Sequence, residues 1–213
     1  MAGRLGRPIT RDAAAEALWP NEPPGPLSNR LSVALSTLRR VLDPERSHPP
    51  DHFIASDAQS LALRIETVTV DVVAFLHKAS DAISKAADGD WASAEVELRE
   101  AEKLYVGDFL EEDLYEDWTV DCREAARSTA IEVSRLLARA ASERDEDETV
   151  SRHLRRLLER DPYDEDAWIA LVGAQSRLRR YGEARRQHAI YARRMAELGV
   201  APVSLAQTLD IRP

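Results

Sequence analysis

Cysteine and long hydrophobic runs are scarce in this sequence. Cys122 is the single cysteine among 213 residues, so the chain has no internal disulfide, and we expect the reducing cytoplasm as its location. No run of about 18 apolar residues occurs, which argues against a membrane-spanning helix. The first ten residues contain no apolar signal core. The sequence therefore predicts a cytoplasmic protein without membrane contact.

Motifs for catalysis or cofactor binding are also missing. The chain has eight glycines, and they form no P-loop, Rossmann pattern or nucleophile elbow. His48 and His52 lie near Asp51 in a proline-rich loop, but a metal site needs more ligands at compatible spacing. We therefore expect no enzyme activity, no catalytic residues, no metal and no cofactor.

The apolar patterns assign the remaining histidines and the cysteine. His188 falls on an apolar stripe and is predicted to be a core residue with one hydrogen bond. His77 and His153 are predicted to lie at the surface. Cys122 also falls on an apolar stripe, which favours a buried, inert thiol.

Charge is spread unevenly along the chain. Residues 1–70 contain eight arginines and eight acidic residues, so the net charge of −9 resides entirely in the remainder. A strongly acidic segment disfavours non-specific binding to nucleic acid. Contact with DNA is therefore expected only in the first segment, whereas the acidic remainder suits a protein partner.

A helix over residues 30–42 carries the functional prediction. Leu31, Leu35, Leu38 and Leu42 recur at helical spacing and form one apolar stripe. The opposite face is small, polar and cationic, with Asn29, Val33, Ser36, Thr37 and Arg40 on it and Arg30 and Arg39 on its flanks. Short side chains allow close approach to base edges, and arginines reach guanines or phosphates. The same pattern is typical of an ordinary amphipathic surface helix, so its neighbours decide between the two.

Those neighbours have the order helix, loop, helix, hairpin. Thr10 is a plausible N-cap of a first helix that ends at Trp19-Pro20. Residues 21–26 are predicted to be a loop because of their proline and glycine content. Residues 53–55 and 61–65 resemble short strands joined by residues 56–60. This order is that of a winged helix-turn-helix.

A resemblance to a known family supports this interpretation. Leu18-Trp19-Pro20 and Leu38-Arg39-Arg40-Val41-Leu42 resemble the second half of the winged-helix domain of OmpR-like transcription factors, and the likeness covers about residues 8–66. Two departures stand out. The family's first sheet and first helix do not fit before Pro8, and Gln59-Ser60-Leu61 replaces the usual Gly-Tyr turn of the wing. We therefore expect a partial winged helix.

From Val70 onward the sequence predicts helices only. Residues 162–202 resemble one tetratricopeptide repeat, with Trp168, Leu171, Tyr181-Gly182, Ala184 and a terminal Pro202 in register. Asp161-Pro162 is predicted to begin a helix, Gly182 to break one and Gly199 to be a left-handed C-cap. Stacked hairpins of this kind leave a concave face that usually binds peptides.

Three arginine clusters in this segment leave two alternatives open. The clusters are Arg152/Arg155/Arg156, Arg177/Arg179/Arg180 and Arg185/Arg186. They could line the concave face and bind a partner, or they could be solvated and paired with local acids.

A second resemblance covers about residues 70–205. The matching residues are Val70-Asp71, Phe75, Tyr105 to Leu110, Trp118, Arg123, Asp161-Pro162, Glu165 and Glu197 to Pro202. Together they resemble the bacterial transcriptional activator domain, which follows an OmpR-like winged helix in SARP-type regulators. The resemblance implies contacts to a second protomer, to RNA polymerase or to another protein.

The predicted fold class is mainly α, with a partial winged helix and small β-hairpin at residues 1–69 and an all-α, TPR-like activator domain at residues 70–213. The predicted function is a DNA-binding, SARP-like transcriptional regulator. Its partners would be double-stranded DNA, RNA polymerase or another protein, and a second copy of the chain. The alternative is a TPR-like interaction adaptor that does not bind DNA.

The predicted DNA-contacting residues divide into three groups. Asn29, Val33, Ser36, Thr37 and Arg40 would read bases. Arg11, Arg30 and Arg39 would neutralise phosphates, and Ser56, Gln59 and Ser60 in the wing would touch the minor groove or the backbone.

Overall fold

The structure is a computed structural model that describes residues 6–20, 24–112 and 117–210. By its internal contacts the chain divides into two units, Met1–Ala74 with Phe109–Arg123, and Phe75–Asp108 with Glu124–Pro213. They are called unit 1 and unit 2 below. The expectation of a mainly α protein with a small sheet followed by a helical-hairpin domain is confirmed.

Unit 1 contains the winged-helix elements. In chain order they are β1 (Ile9–Thr10), α1 (Arg11–Leu18), α2 (Pro24–Leu42), β2 (Ile54–Ser56) and β3 (Ser60–Leu63). Thr10 caps α1 as predicted, because its hydroxyl accepts a hydrogen bond from the Ala13 N–H at 3.2 Å. The three strands form an antiparallel sheet in the order β1-β3-β2.

Two expectations for α2 need correction. The predicted loop continued to Pro26, but α2 begins at Pro24, since proline in a first helical turn loses no intrahelical hydrogen bond; residues 21–23 lie outside the described part of the chain. Leu31 and Leu35 are buried as predicted, whereas Leu38 is 40% exposed and leaves the stripe. The core of unit 1 joins Leu31 and Leu35 to Ala15, Ile54 and Leu61.

The strand β1 was not predicted. Its two residues pair with Leu61 and Ser60 of β3, so a segment more than 40 positions upstream completes the wing. Two residues are too few to show the alternation of a strand.

The remaining elements are all helices. They are α3 (Asp71–Ala87), α4 (Trp91–Leu104), α5 (Asp117–Ser142), α6 (Asp147–Arg160), α7 (Glu165–Arg177), α8 (Tyr181–Glu197) and α9 (Leu205–Asp210). In unit 2, α7 packs against α6, α8 and α9 around a core that includes Leu157, Trp168, Leu171 and Tyr191. Nowhere in the described ranges is a helix long and apolar enough to cross a membrane.

Helix boundaries in unit 2 differ from the sequence expectation at two places. Asp164, not Asp161, caps α7, because its carboxylate accepts the Ala167 N–H at 2.8 Å. Gly182 does not break the chain but lies within α8, and the break falls just before Tyr181. Gly199 does adopt the predicted left-handed conformation, with φ of +71°.

The environment of His153 also needs correction. His153 was predicted at the surface but is buried, and its Nδ1 lies 2.9 Å from the Glu102 carboxylate of α4. Arg156 lies 2.5 Å from the other oxygen of that carboxylate. Burial raises the pKa of Glu102, but the hydrogen bonds from His153 and Arg156 outweigh it and lower the pKa to about 2.

Two further assignments, His77 and Cys122, agree with the structure, and that of His188 as a core residue agrees in part. His188 is half-buried and bonds the Val203 carbonyl at 2.8 Å, and His77 is exposed. Cys122 is buried, and burial raises the pKa of its thiol.

Candidate nucleic-acid interface

One face of α2 presents all five predicted base-reading side chains to solvent. Asn29, Val33, Ser36, Thr37 and Arg40 are exposed. On the other side of the helix, Leu31 and Leu35 are 3% and 5% exposed and fix α2 to the core of unit 1. The helix is therefore anchored along one side and open along the other.

Two flanking arginines are held at the amino end of this face. The Arg11 guanidinium donates to the Ser32 hydroxyl at 3.2 Å, and that hydroxyl donates to the Ser28 carbonyl at 2.9 Å. The Arg30 guanidinium lies 4.5 Å from the centre of the Trp19 ring, in a cation–π contact. These contacts restrict the side-chain freedom of both arginines while the Arg30 side chain stays exposed.

Arg39 has a different role from the other arginines of α2. It is half-buried, and its Nη2 donates to the Ile54 carbonyl at 3.0 Å and to the Ser56 hydroxyl at 2.8 Å. A single guanidinium thus joins α2 to strand β2. The hydrogen bonds of Arg39 are therefore made within the protein, and one of them is to Ser56, a predicted wing residue.

The turn of the wing is organised by Asp57, which the sequence prediction did not single out. The Asp57 carboxylate accepts the backbone N–H groups of Gln59 at 2.7 Å and Ser60 at 2.6 Å, and the Ser60 hydroxyl at 2.9 Å. These hydrogen bonds lower the pKa of Asp57. Asp57 therefore stabilises the turn of the wing without the Gly-Tyr pair expected from the OmpR-like resemblance. Gln59, at the tip of this turn, is exposed.

A shallow depression of about 390 Å³ borders the carboxyl end of α2. Ser36 and Arg40 line it together with Arg46 and His48 from the following loop. The Asp43 carboxylate holds this loop by accepting the N–H groups of Ser47 and His48, both at 2.9 Å, which lowers the pKa of Asp43. Arg46 and His48 were not predicted, because no periodic pattern reports how a loop folds.

His48 and His52 stack on each other with ring centres 4.2 Å apart. Among the described residues, no group of three or more histidines, cysteines or carboxylates could hold a metal ion. The described residues therefore offer no candidate metal site.

The arginine clusters of unit 2 are largely paired with acids. Five of their eight members lie within ion-pair distance of a carboxylate: Arg155 and Arg186 of Glu183, Arg156 of Glu102, Arg177 of Asp147, and Arg180 of Glu148. Arg152, Arg179 and Arg185 are exposed. Most members of the clusters therefore fit the solvated, paired alternative.

Comparison with known proteins identifies the family. The bacterial transcriptional activator domain matches residues 70–210. The chain belongs to this family. The resemblance to SARP-type regulators carrying a bacterial transcriptional activator domain is thereby confirmed, and the family is one of transcription regulators.

A solved structure shares the fold. The Mycobacterium tuberculosis protein EmbR, in complex with a low-affinity phosphopeptide, matches with a TM-score of 0.63 and 23% sequence identity. The match covers 96% of this chain and 54% of EmbR, so the chain spans about half the length of that structure. No curated protein matches the chain.

The predicted boundary at residue 69 and the predicted DNA-contacting residues stay predictions. The match begins at residue 70, while unit 1 also includes residues 109–123. The predicted Trp118 match lies where side chains are not described.

Proposed function

We propose that this member of the bacterial transcriptional activator domain family binds double-stranded DNA through α2 and the wing of unit 1. The observation that supports this most is the open face of α2, on which five base-reading candidates are exposed while the opposite leucines anchor the helix. A helix of this width fits the major groove of B-DNA.

Within that proposal, the polar and cationic side chains divide the work. Asn29, Ser36, Thr37 and Arg40 read base edges, and Val33 contacts a thymine methyl group. Arg11, Arg30 and Arg39 contribute positive charge near phosphates, with Arg39 also holding β2 in place. Ser56, Gln59 and Ser60 bring the wing to the sugar-phosphate backbone.

The helical domain is proposed to contact other proteins. Its acidic charge disfavours DNA and suits a partner such as RNA polymerase, or a second copy of the chain. A regulator of chromosomal DNA works in the cytoplasm, and this location is part of the proposal. No catalytic step is included in it.

A second candidate function is an adaptor that binds protein and not DNA. It is favoured by apolar side chains at the surface of unit 1, where Leu18 and Val41 are 57% and 69% exposed. Exposed apolar groups mark protein contacts where they form a contiguous patch.

Selection of bound fragments from genomic DNA, followed by titration of the selected site at low salt, tests the proposal. Arg40→Ala removes an exposed cation from the proposed interface, and we expect it to weaken binding by about tenfold, since a good base contact contributes about 1–3 kcal/mol.

Arg152→Ala is the matched control, because Arg152 is also an exposed arginine on a helix but belongs to α6. Its affinity for the site should equal that of the parent chain. An equal loss of DNA affinity in both variants would contradict the α2 interface. Recovery of no sequence in the selection would also contradict it and would favour the adaptor.

A further inference from the structure

An open cleft in unit 2 gathers positive charge at the turn between α7 and α8. Its volume is about 620 Å³, within the range of small-ligand sites. Four guanidinium groups line it, from Arg155 of α6, Arg179 and Arg180 of the turn, and Arg186 of α8. Among the described residues that line it, Glu183 is the sole acid.

The existing ion pairs leave this charge only partly compensated. The Glu183 carboxylate accepts from the Arg186 Nε at 3.0 Å and lies 3.5 Å from an Arg155 nitrogen. Arg180 reaches the exposed Glu148 at 2.8 Å. For the Arg179 guanidinium, the described part of the chain provides no partner. The cleft therefore has a cationic excess within a chain of net charge −9.

The amino end of α8 opens into the same cleft. Arg180 is the N-cap residue of this 17-residue helix, and its side chain makes no capping hydrogen bond. The first N–H groups of a helix attract anions; in α8 the Glu183 N–H already bonds the Arg180 carbonyl at 3.0 Å, which leaves those of Tyr181 and Gly182. Gly182 leaves room beside them, since a Cβ there would meet only an Arg186 nitrogen at 3.8 Å.

A buried amide in the cleft wall is incompletely bonded. Gln175 is 0% exposed; its Nε2 donates to the Ser151 hydroxyl at 3.0 Å, and its Oε1 has no partner in the described structure. A 180° rotation of the amide would let Ser151 donate to Oε1 and would present Nε2 as a free donor. Buried polar groups usually have partners, so this amide is one of the few exceptions in the described structure.

Arg179 occupies a position where stability alone favours glycine. Four helix ends place a residue in the left-handed region, Gly89, Asp145, Arg179 and Gly199, with φ of 87°, 55°, 58° and 71°. After α7, the Arg179 and Arg180 N–H groups bond the Ser176 and Gln175 carbonyls at 2.8 and 2.9 Å, which is a Schellman ending. This conformation disfavours side chains, so stability does not explain the arginine here, although Arg46 and Leu110 also have positive φ.

We propose that the cleft binds the pyrophosphate group of a small ligand. Guanidinium forks match phosphate oxygens two at a time, and three structural elements supply them here. A ligand with several negative charges can compete with the Glu183 carboxylate for these guanidinium groups, whereas a monoanion cannot. Tyr181, which is 59% exposed at the rim, is available to stack on a base, so free pyrophosphate and a nucleoside diphosphate share this chemistry.

Calorimetric titration of the full chain with inorganic pyrophosphate and with ADP, at fixed ionic strength, tests the proposal. We expect saturable binding and a raised melting temperature. Arg179→Gly and Arg186→Ala should each weaken binding by about tenfold, the effect of losing a charge-assisted hydrogen bond. The unliganded Arg179→Gly chain should melt at the same or a higher temperature, which separates ligand binding from a structural role.

Arg193→Ala, an exposed arginine of α8 outside the cleft, is the matched control and should bind like the parent. Tighter binding of ADP that Tyr181→Ala reverses would identify a nucleotide, and equal binding would identify pyrophosphate alone. The proposal is overturned if neither probe binds at millimolar concentration, if Arg179→Gly binds like the parent, or if Arg193→Ala loses as much as the cleft variants.

Discussion

Single side chains join elements that lie far apart in the sequence. Arg39 connects α2 to β2, and the Tyr191 hydroxyl donates to Glu165 at the start of α7 and accepts the Val203 N–H at 2.8 Å. Glu102 likewise joins α4 to two residues of α6. Each such group is largely desolvated, so loss of one partner leaves the others unbonded.

Glu102→Gln is expected to lower the free energy of unfolding at neutral pH by on the order of 2–3 kcal/mol. The folded-state pKa of Glu102 is about 2 against an ordinary value of 4.5. Because the pKa is depressed, the stabilisation is present above pH 4.5 and is lost as the pH falls towards 2. Urea unfolding of variant and parent across this range measures it.

Glu143→Gln is the control for that measurement, since Glu143 pairs with Arg139 at 3.4 Å on an exposed surface and should matter little. A difference between Glu102→Gln and the parent that persists unchanged at pH 2 would contradict the assignment of Glu102 as the titrating group.

The residue scale is also where sequence reasoning failed most. The hydrogen bond predicted for His188 is present and the residue is half-buried, because its own apolar stripe reports burial. His153 was not placed correctly, because the acid that permits its burial lies 51 positions earlier in α4. A pattern along one helix does not contain the partner that a second helix supplies.

At the scale of elements, helical periodicity was sufficient for most of the chain. Every element of the described chain from Asp71 onward is a helix, as the sequence predicts, and the left-handed Gly89 lies between α3 and α4. The start of α2 and the strand β1 were not predicted. Proline is compatible with both a loop and a first helical turn, and a two-residue strand exists only through its partner.

Two leucines of α2 test how this helix is anchored. Leu35→Ala should destabilise unit 1 by about 2–5 kcal/mol, since it leaves a cavity in the core, whereas Leu38→Ala should cost less than about 1 kcal/mol. Leu35 is 5% exposed and Leu38 is 40% exposed. Hydrogen exchange of the α2 amides measures both, and similar acceleration in the two variants would mean that the leucines form one buried stripe after all.

At the scale of the whole molecule, charge separates the two proposed tasks. Residues 1–70 are neutral overall and include the arginines proposed for the DNA interface, while the remainder carries the full −9. Sequence composition alone revealed this division. It could not reveal the cationic cleft at the α7–α8 turn, because that cleft assembles arginines from three elements.

The salt dependence of DNA binding checks this division of charge. Three phosphate contacts, from Arg11, Arg30 and Arg39, predict a log–log slope of affinity against salt of about −3. The measurement is a titration of the selected DNA site at several salt concentrations. A slope steeper than about −7 would exceed what the eight arginines of residues 1–70 supply, and would place DNA on other parts of the chain as well.

The middle position of β3 has a consequence for self-association. Ser60 and Leu61 pair with β1, and Leu61 to Leu63 pair with β2, so the longest strand of the sheet is enclosed by its neighbours. The outer strands are two and three residues long. Edges this short offer few backbone groups to a strand of another chain, so we expect the sheet to resist fibril formation and strand exchange.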